Sequence, residues 1–163
     1  MRAALIEVVG GAPRVETLGD PSRTGDDQVL IKVEAAALNA IDLYIAAGHH
    51  RAGVPQFPYV PGIETVGTII EGPDRGTRVR AAAAAGLVPG ANGGLADLQL
   101  ADRAVCIPVP DGLDSAVAAA VGVVGTGADL ALRKAALQAN ESVLVLGATG
   151  PFGNAFLQFA SSN

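Results

Sequence analysis

The chain has 163 residues, half of them hydrophobic, and a formal net charge of −5. That length holds one full domain and the start of another, with apolar residues enough for a sizeable core. An acidic chain with no basic run and only 4% aromatic residues argues against nucleic acid as the main partner. A single cysteine, Cys106, rules out an internal disulfide and any cysteine-cluster zinc site. The N-terminus, Met1-Arg2-Ala3-Ala4-Leu5-Ile6-Glu7, carries an early acid and lacks a signal-peptide apolar segment. No apolar run reads as long or pure enough to span a bilayer, and a cytoplasmic setting is expected.

In chain order, Arg2–Val8 reads as a strand turned by Gly10-Gly11-Ala12-Pro13, and Arg14–Leu18 as a second strand. Gln28–Ala36 alternates Val29, Ile31 and Val33 against Leu30, Lys32 and Glu34, which predicts one apolar and one mixed face. Ala40–Ala47 is predicted as a short helix with Asn39 as N-cap. A loop rich in proline and histidine follows at Gly48–Pro61. Strands are predicted at Glu64–Glu71 and Thr77–Ala84, joined by a turn at Gly72-Pro73-Asp74. The run Ala81–Ala85 reads as a site of close backbone packing, or else as a small-residue ligand wall. After the glycine-rich loop Gly86–Gly94, further strands are predicted at Leu95–Leu100 and Ala104–Pro108. Many short strands at this spacing point to a compact, barrel-like β domain.

The pattern changes after Pro110. Asp114 or Ser115 can cap a helix through Ala116–Val121; Gly122–Gly127 is expected to interrupt it; Ala128–Gln138 is a second predicted helix burying Leu130, Leu132 and Leu137. Val143–Leu146 reads as a strand covered on both faces. A tight turn at Gly147–Gly150 and a helix over Pro151–Ser161 complete the order strand, glycine turn, helix. That order is the context in which a glycine turn cradles a pyrophosphate, because backbone N–H groups and the positive end of a helix face the same point. Gly150 and Gly153 fit the second and third glycines of G-x-G-x-x-G, and the first falls on Ala148. Pro151 suits the first helical turn but removes one N–H that could face a phosphate.

Taken together, Val29–Ala37, Asn39–Tyr44, Pro61-Gly62-Ile63-Glu64, Gly76–Val79, Val109–Leu113 and Val143–Gly153 resemble the zinc-independent, quinone-oxidoreductase-like branch of the medium-chain dehydrogenase/reductase family. The resemblance covers the whole chain. It implies a mainly β, GroES-like, partially open barrel over residues 1–125, the catalytic domain. The first α-β-α elements of a Rossmann-like α/β domain would follow over 126–163, an incomplete N-terminal part. It further implies NADPH or NADH in the cleft between the domains, and hydride transfer to a quinone, enone or carbonyl substrate. Zinc-dependent relatives place a cysteine near Asn39 and a histidine where Ile63 stands. Asn39, Ile63 and Glu64 cannot make that site, so no metal is expected.

By the same resemblance, Asn39 and Tyr44 line the active site, each able to donate a hydrogen bond to an acceptor oxygen. Against this stand blander roles, Asn39 as a cap only and Tyr44 as packing on the barrel. Thr126, Gly147, Ala148, Thr149, Gly150, Pro151, Phe152 and Gly153 are the cofactor-binding candidates. Gly127 and Asp129 depart from the family pattern beside Thr126, as does Pro151. Asp42 reads as a structural hydrogen-bonding residue, Glu64 as a holder of its loop through backbone hydrogen bonds, His49 and His50 as solvated, and Cys106 as a small core residue.

The chain is expected to stop before its βαβ unit is complete and to be inactive alone. Residues 143–161 would then be exposed to a homodimer partner or a complementing chain. A competing function is a non-catalytic paralogue acting as a protein-interaction module.

Overall fold

The computed structural model describes residues 1–138 and 140–162. Two compact units divide the chain, Met1–Ala120 and Val121–Asn163. The first is built mainly of antiparallel sheet. Strands β1 (Arg2–Leu5) and β2 (Arg14–Thr17) form a two-stranded ribbon. A five-stranded sheet contains β3 (Gln28–Ala37), β4 (Glu64–Glu71), β5 (Arg78–Ala82), β6 (Leu98–Asp102) and β7 (Cys106–Pro108), in the spatial order β6-β3-β4-β5-β7. Isolated bridges, Ala3 to Ala96 and Ile6 to Tyr59, connect the outlying segments to the rest.

Period-2 alternation explains the core. Val29, Ile31, Ile69, Val79, Ala81, Ala101 and Cys106 form one buried cluster on the sheet. Each large aliphatic there contributes about 1.5–3 kcal/mol by leaving water. Leu30, read from its alternation as part of the mixed face, is also buried. A second cluster, Ile6, Ile45, Tyr59, Ile63 and Ala85, seats the helix α1 (Ala40–Ala46). The two ends of the alanine run thus serve two clusters, Ala81 in one and Ala85 in the other.

Several elements differ from the sequence expectation, for identifiable reasons. The strand expected from Leu95 starts at Leu98, because the backbone just before it bonds elsewhere. Gly93, Gly94 and Leu95 donate their N–H groups to Val60, Gly62 and Pro61 carbonyls. The strand expected at Ala104 is a 3₁₀ turn, Arg103–Val105, capped by the Asp102 carboxylate on the Ala104 N–H at 2.8 Å. Only Cys106–Pro108 pairs with β5.

The two helices expected on either side of Gly122–Gly127 are one, α2 (Ser115–Ala135). Asp114 caps it, its Oδ1 accepting from the Ala116 and Val117 N–H groups at 2.9 and 3.0 Å. Each interior glycine costs a helix about 1 kcal/mol relative to alanine. Close packing offsets that cost. A Cβ on Gly127 would lie 3.0 Å from the Phe152 ring, and one on Gly125 would lie 3.7 Å from Phe159. Continuity also corrects the reading that no apolar run is long enough to span a bilayer: α2 meets the length and composition test. In its first turns Ala118 and Ala119 are buried against Val66, while Val117 and Val121 are exposed.

The second unit comprises the rest of α2, an irregular segment, a tight turn and the helix α3 (Pro151–Ser162). Leu130, expected inside, is exposed, while Ala128 is fully buried. The expected strand Val143–Leu146 is absent: Leu144 and Leu146 are 85% and 88% exposed. Strand geometry is held by a neighbour's hydrogen bonds, and among the described residues no strand pairs with this segment.

Candidate functional site

The residues after β3 build a polar cluster in the first unit. Asp42, at the third position of α1, is buried, and its carboxylate is shared among three backbone donors. Oδ2 accepts from the Asn39 N–H at 2.8 Å; Oδ1 accepts from the Gly62 and Ile63 N–H groups at 3.2 and 3.1 Å. A short acidic side chain at this helical position can reach back to the residue before the helix, which is why the pattern recurs at helix starts. Here it also ties α1 to the loop entering β4. Asp42 is therefore the structural residue that the sequence indicated.

Asn39 sits half-buried at the head of α1. Its side chain faces the Asp42 N–H in a capping-box arrangement without completing a hydrogen bond there; that N–H goes to the Asn39 carbonyl at 3.0 Å. Its amide Nδ2 points to Glu64 Oε2 at 3.5 Å. Glu64, 1% exposed at the start of β4, also receives a hydrogen bond from Arg80 Nη1 to Oε1 at 2.9 Å. The carboxylate thus takes up side-chain donors, a role beyond the backbone bonds expected of it.

Arg80 escaped the sequence reading. The register shows why it belongs. Glu64 pairs with Ala82 and Val66 with Arg80, so Glu64 and Arg80 are diagonal neighbours on one face of the β4–β5 hairpin. A registered hairpin drawn from the two predicted strands would have found the pair.

Tyr44 lies on the exposed side of α1, at 59% exposure, and does not pack on the barrel. His49 is exposed, and His50 Nδ1 accepts from the Ala52 N–H at 3.2 Å inside its own loop. Neither histidine joins the Asn39–Glu64 group. Cys106 is buried in the sheet core, and that burial pushes its thiol pKa up. Among the described residues, no three His, Cys, Asp or Glu side chains converge on one point.

In the second unit the glycine turn is tight. The Gly150 N–H bonds to the Gly147 carbonyl at 3.0 Å, and α3 starts at Pro151. The left-handed residue is Gly147, with φ of 78°, one position before Ala148, where the first glycine of the pattern would fall. Gly153 has the closest approach: a Cβ there would lie 2.3 Å from the Gly147 carbonyl oxygen and 2.8 Å from Ala148 Cα. No other residue fits without moving the turn. Thr149 is exposed at its tip. Phe152 extends from the first turn of α3 onto Gly127, which brings the helix segment holding Thr126 beside the turn. Thr126 itself is exposed.

The chain belongs to the alcohol dehydrogenase GroES-like domain family, whose profile matches residues 25–111. Its relatives place it among the medium-chain dehydrogenases and reductases. It is 37% identical over 142 residues to a quinone oxidoreductase of Sus scrofa, covering 83% of this chain and 41% of that protein. It is 33% identical over 163 residues to a quinone oxidoreductase of Lama guanicoe, covering 98% of this chain and 49% of that protein. The quinone oxidoreductase of Thermus thermophilus, whose structures include a complex with NADPH, superposes with a TM-score of 0.84 at 32% identity. That match covers 99% of this chain and 50% of the other. The chain spans about half the length of the relatives it matches.

Proposed function

We propose that this chain carries the acceptor-binding group and the phosphate turn of an NAD(P)H-dependent oxidoreductase that reduces a quinone, enone or carbonyl without zinc. The observation that carries the reading is the turn at Gly147–Gly153. Gly147 turns in the left-handed region, and Gly153 leaves no space for a side chain against the Gly147 carbonyl. Those are two of the glycine roles that a dinucleotide-binding turn requires. The quinone oxidoreductase names of the relatives support the activity, and the NADPH complexes of two structural neighbours support the cofactor.

The turn fits the group. Backbone N–H groups of Ala148, Thr149 and Phe152, with the positive end of the 12-residue α3, would hold the pyrophosphate, while the Gly150 N–H closes the turn on the Gly147 carbonyl. Pro151 contributes no donor there. Thr126 would add a hydroxyl. When bound, the nicotinamide supplies the hydride. In the first unit, Asn39 presents an amide N–H and Tyr44 a phenol to polarise an acceptor oxygen, in place of a Lewis acid. The setting proposed is the cytoplasm.

Isothermal titration of the chain with NADPH and with NADH tests this directly. Saturable binding to the unaltered chain and its loss in Gly153→Val are the expected results. No binding of either nucleotide at millimolar concentration overturns it. A second reading, an interaction module or homodimer using residues 143–161, draws on the exposure of Leu144 and Leu146. It requires a stable complex by light scattering and no nucleotide binding.

A further inference from the structure

We infer that Arg80, acting through Glu64, fixes the orientation of the Asn39 side-chain amide, so that the group left to meet a ligand is an N–H donor. The inference rests on the assignment of Asn39 to the acceptor site, and it concerns residues that assignment does not include.

An asparagine amide has two nearly isosteric ends, one accepting and one donating, and only its neighbours decide which end points where. Two neighbours decide it here. The Asp42 N–H at the head of α1 faces the side chain of Asn39 in the capping-box arrangement, which favours Oδ1 on that side. The Glu64 carboxylate faces Nδ2 at 3.5 Å. A flipped amide would set its carbonyl oxygen against a carboxylate oxygen and its NH₂ against a backbone N–H. Both contacts would be repulsive, and the first sets an oxygen against the carboxylate of Glu64, itself 1% exposed. In a buried setting such a contact is not relieved by water. With Oδ1 turned to the helix and one N–H to Glu64, the second Nδ2–H remains for a ligand.

Arg80 makes the lock hold. A carboxylate as buried as Glu64 needs a paired positive charge. Arg80, on β5, supplies it at 2.9 Å on Oε1, the oxygen that Asn39 does not use. The guanidinium therefore stabilises the charge and fixes the carboxylate plane, leaving Oε2 aimed at Asn39. Arg80 touches no ligand in this scheme; it is a positioning residue. Donor polarity matters chemically, because quinone, enone and carbonyl acceptors all present an oxygen lone pair that only a donor can polarise.

Nuclear magnetic resonance of the ¹⁵N-labelled chain reads the orientation without any cofactor or substrate. In the unaltered chain one of the two Asn39 Nδ2 protons should show a nuclear Overhauser effect to the Glu64 Hγ protons. That proton should exchange with solvent about tenfold more slowly than its partner, the size of one net hydrogen bond to a charged group. Glu64→Gln and Arg80→Ala should each weaken that Overhauser effect and bring the two exchange rates together, and Arg80→Lys should restore most of the difference relative to Arg80→Ala. No Overhauser effect from either Asn39 Nδ2 proton to Glu64, with equal solvent exchange of the two, in the unaltered chain would overturn the inference whether or not the variants fold. So would an Asn39 signal pair unchanged in folded Glu64→Gln and Arg80→Ala. A locked amide in a chain that binds no nucleotide would sink the oxidoreductase reading and leave this positioning intact.

Discussion

The two units are held together by different means. In Met1–Ala120 the sheet is five strands wide, and the buried acids each have named donors: three backbone N–H groups on Asp42, Arg80 and Asn39 on Glu64. In Val121–Asn163 order comes from helices and one glycine turn, and no strand is formed among the described residues. The contrast teaches that an apolar sequence alone does not make a strand. Val143–Leu146 is as apolar as β4, yet β4 has β3 on one side and β5 on the other. Backbone pairing, and not side-chain composition, separates the two segments.

The contrast can be broken or sharpened by substitution. The largest effect should come from Asp42→Ala, which strips partners from the Asn39, Gly62 and Ile63 N–H groups. Losing several charge-assisted bonds at a buried site should cost about 3–5 kcal/mol of the first unit's stability in urea unfolding. A loss under about 1 kcal/mol, the size of one ordinary hydrogen bond, would show that the carboxylate does not hold α1 to the β4 loop.

Gly153→Ala comes next, because its Cβ would meet backbone at 2.3 Å. Overpacking of this kind costs about 1–3 kcal/mol. Amide exchange should quicken in residues 147–162 and stay unchanged in β3–β5; acceleration throughout would mean that the two units do not unfold separately.

A smaller effect is expected from Glu34. Hydrogen bonds from Ser115 and Thr68, with Arg78 nearby, hold its carboxyl below the ordinary glutamate value. A depressed carboxylate pKa stabilises the fold above the unfolded-state value, and that contribution disappears as pH falls through the folded-state value. Stability should therefore drop on acidification below the ordinary glutamate value of 4.5, and Glu34→Gln should flatten the drop. Because the side chain is 37% exposed, screening limits the effect to about 0.5 kcal/mol. A pH profile identical in Glu34→Gln would contradict it. Smallest of all, Arg133→Ala should leave thermal unfolding unchanged: its Asp129 pair, at 2.7 Å, is solvent-exposed on α2.

Local signals were legible where chemistry is local. Asn39 at the head of α1, Asp114 as the cap of α2, the turn at Gly147–Gly150 and the helix from Pro151 all follow from residue types within four positions of one another. The strand Glu64–Glu71 was legible to the residue, because glycine, proline and aspartate mark its end. Glycines misled in α2, where each one costs helix propensity locally but lets Phe152 and Phe159 approach.

What the sequence determined by itself was the mainly β class of the first unit, the starts of the three helices and the residues that could bear chemistry. The tertiary structure alone decided which of those residues meet. Arg80 lies 16 residues from Glu64, and Asn39 25 residues from it, and only the β4–β5 register and the docking of α1 bring the three side chains together. It also decided that Val143–Leu146 is not a strand, because a strand needs a partner's N–H and C=O groups and those are properties of the neighbour.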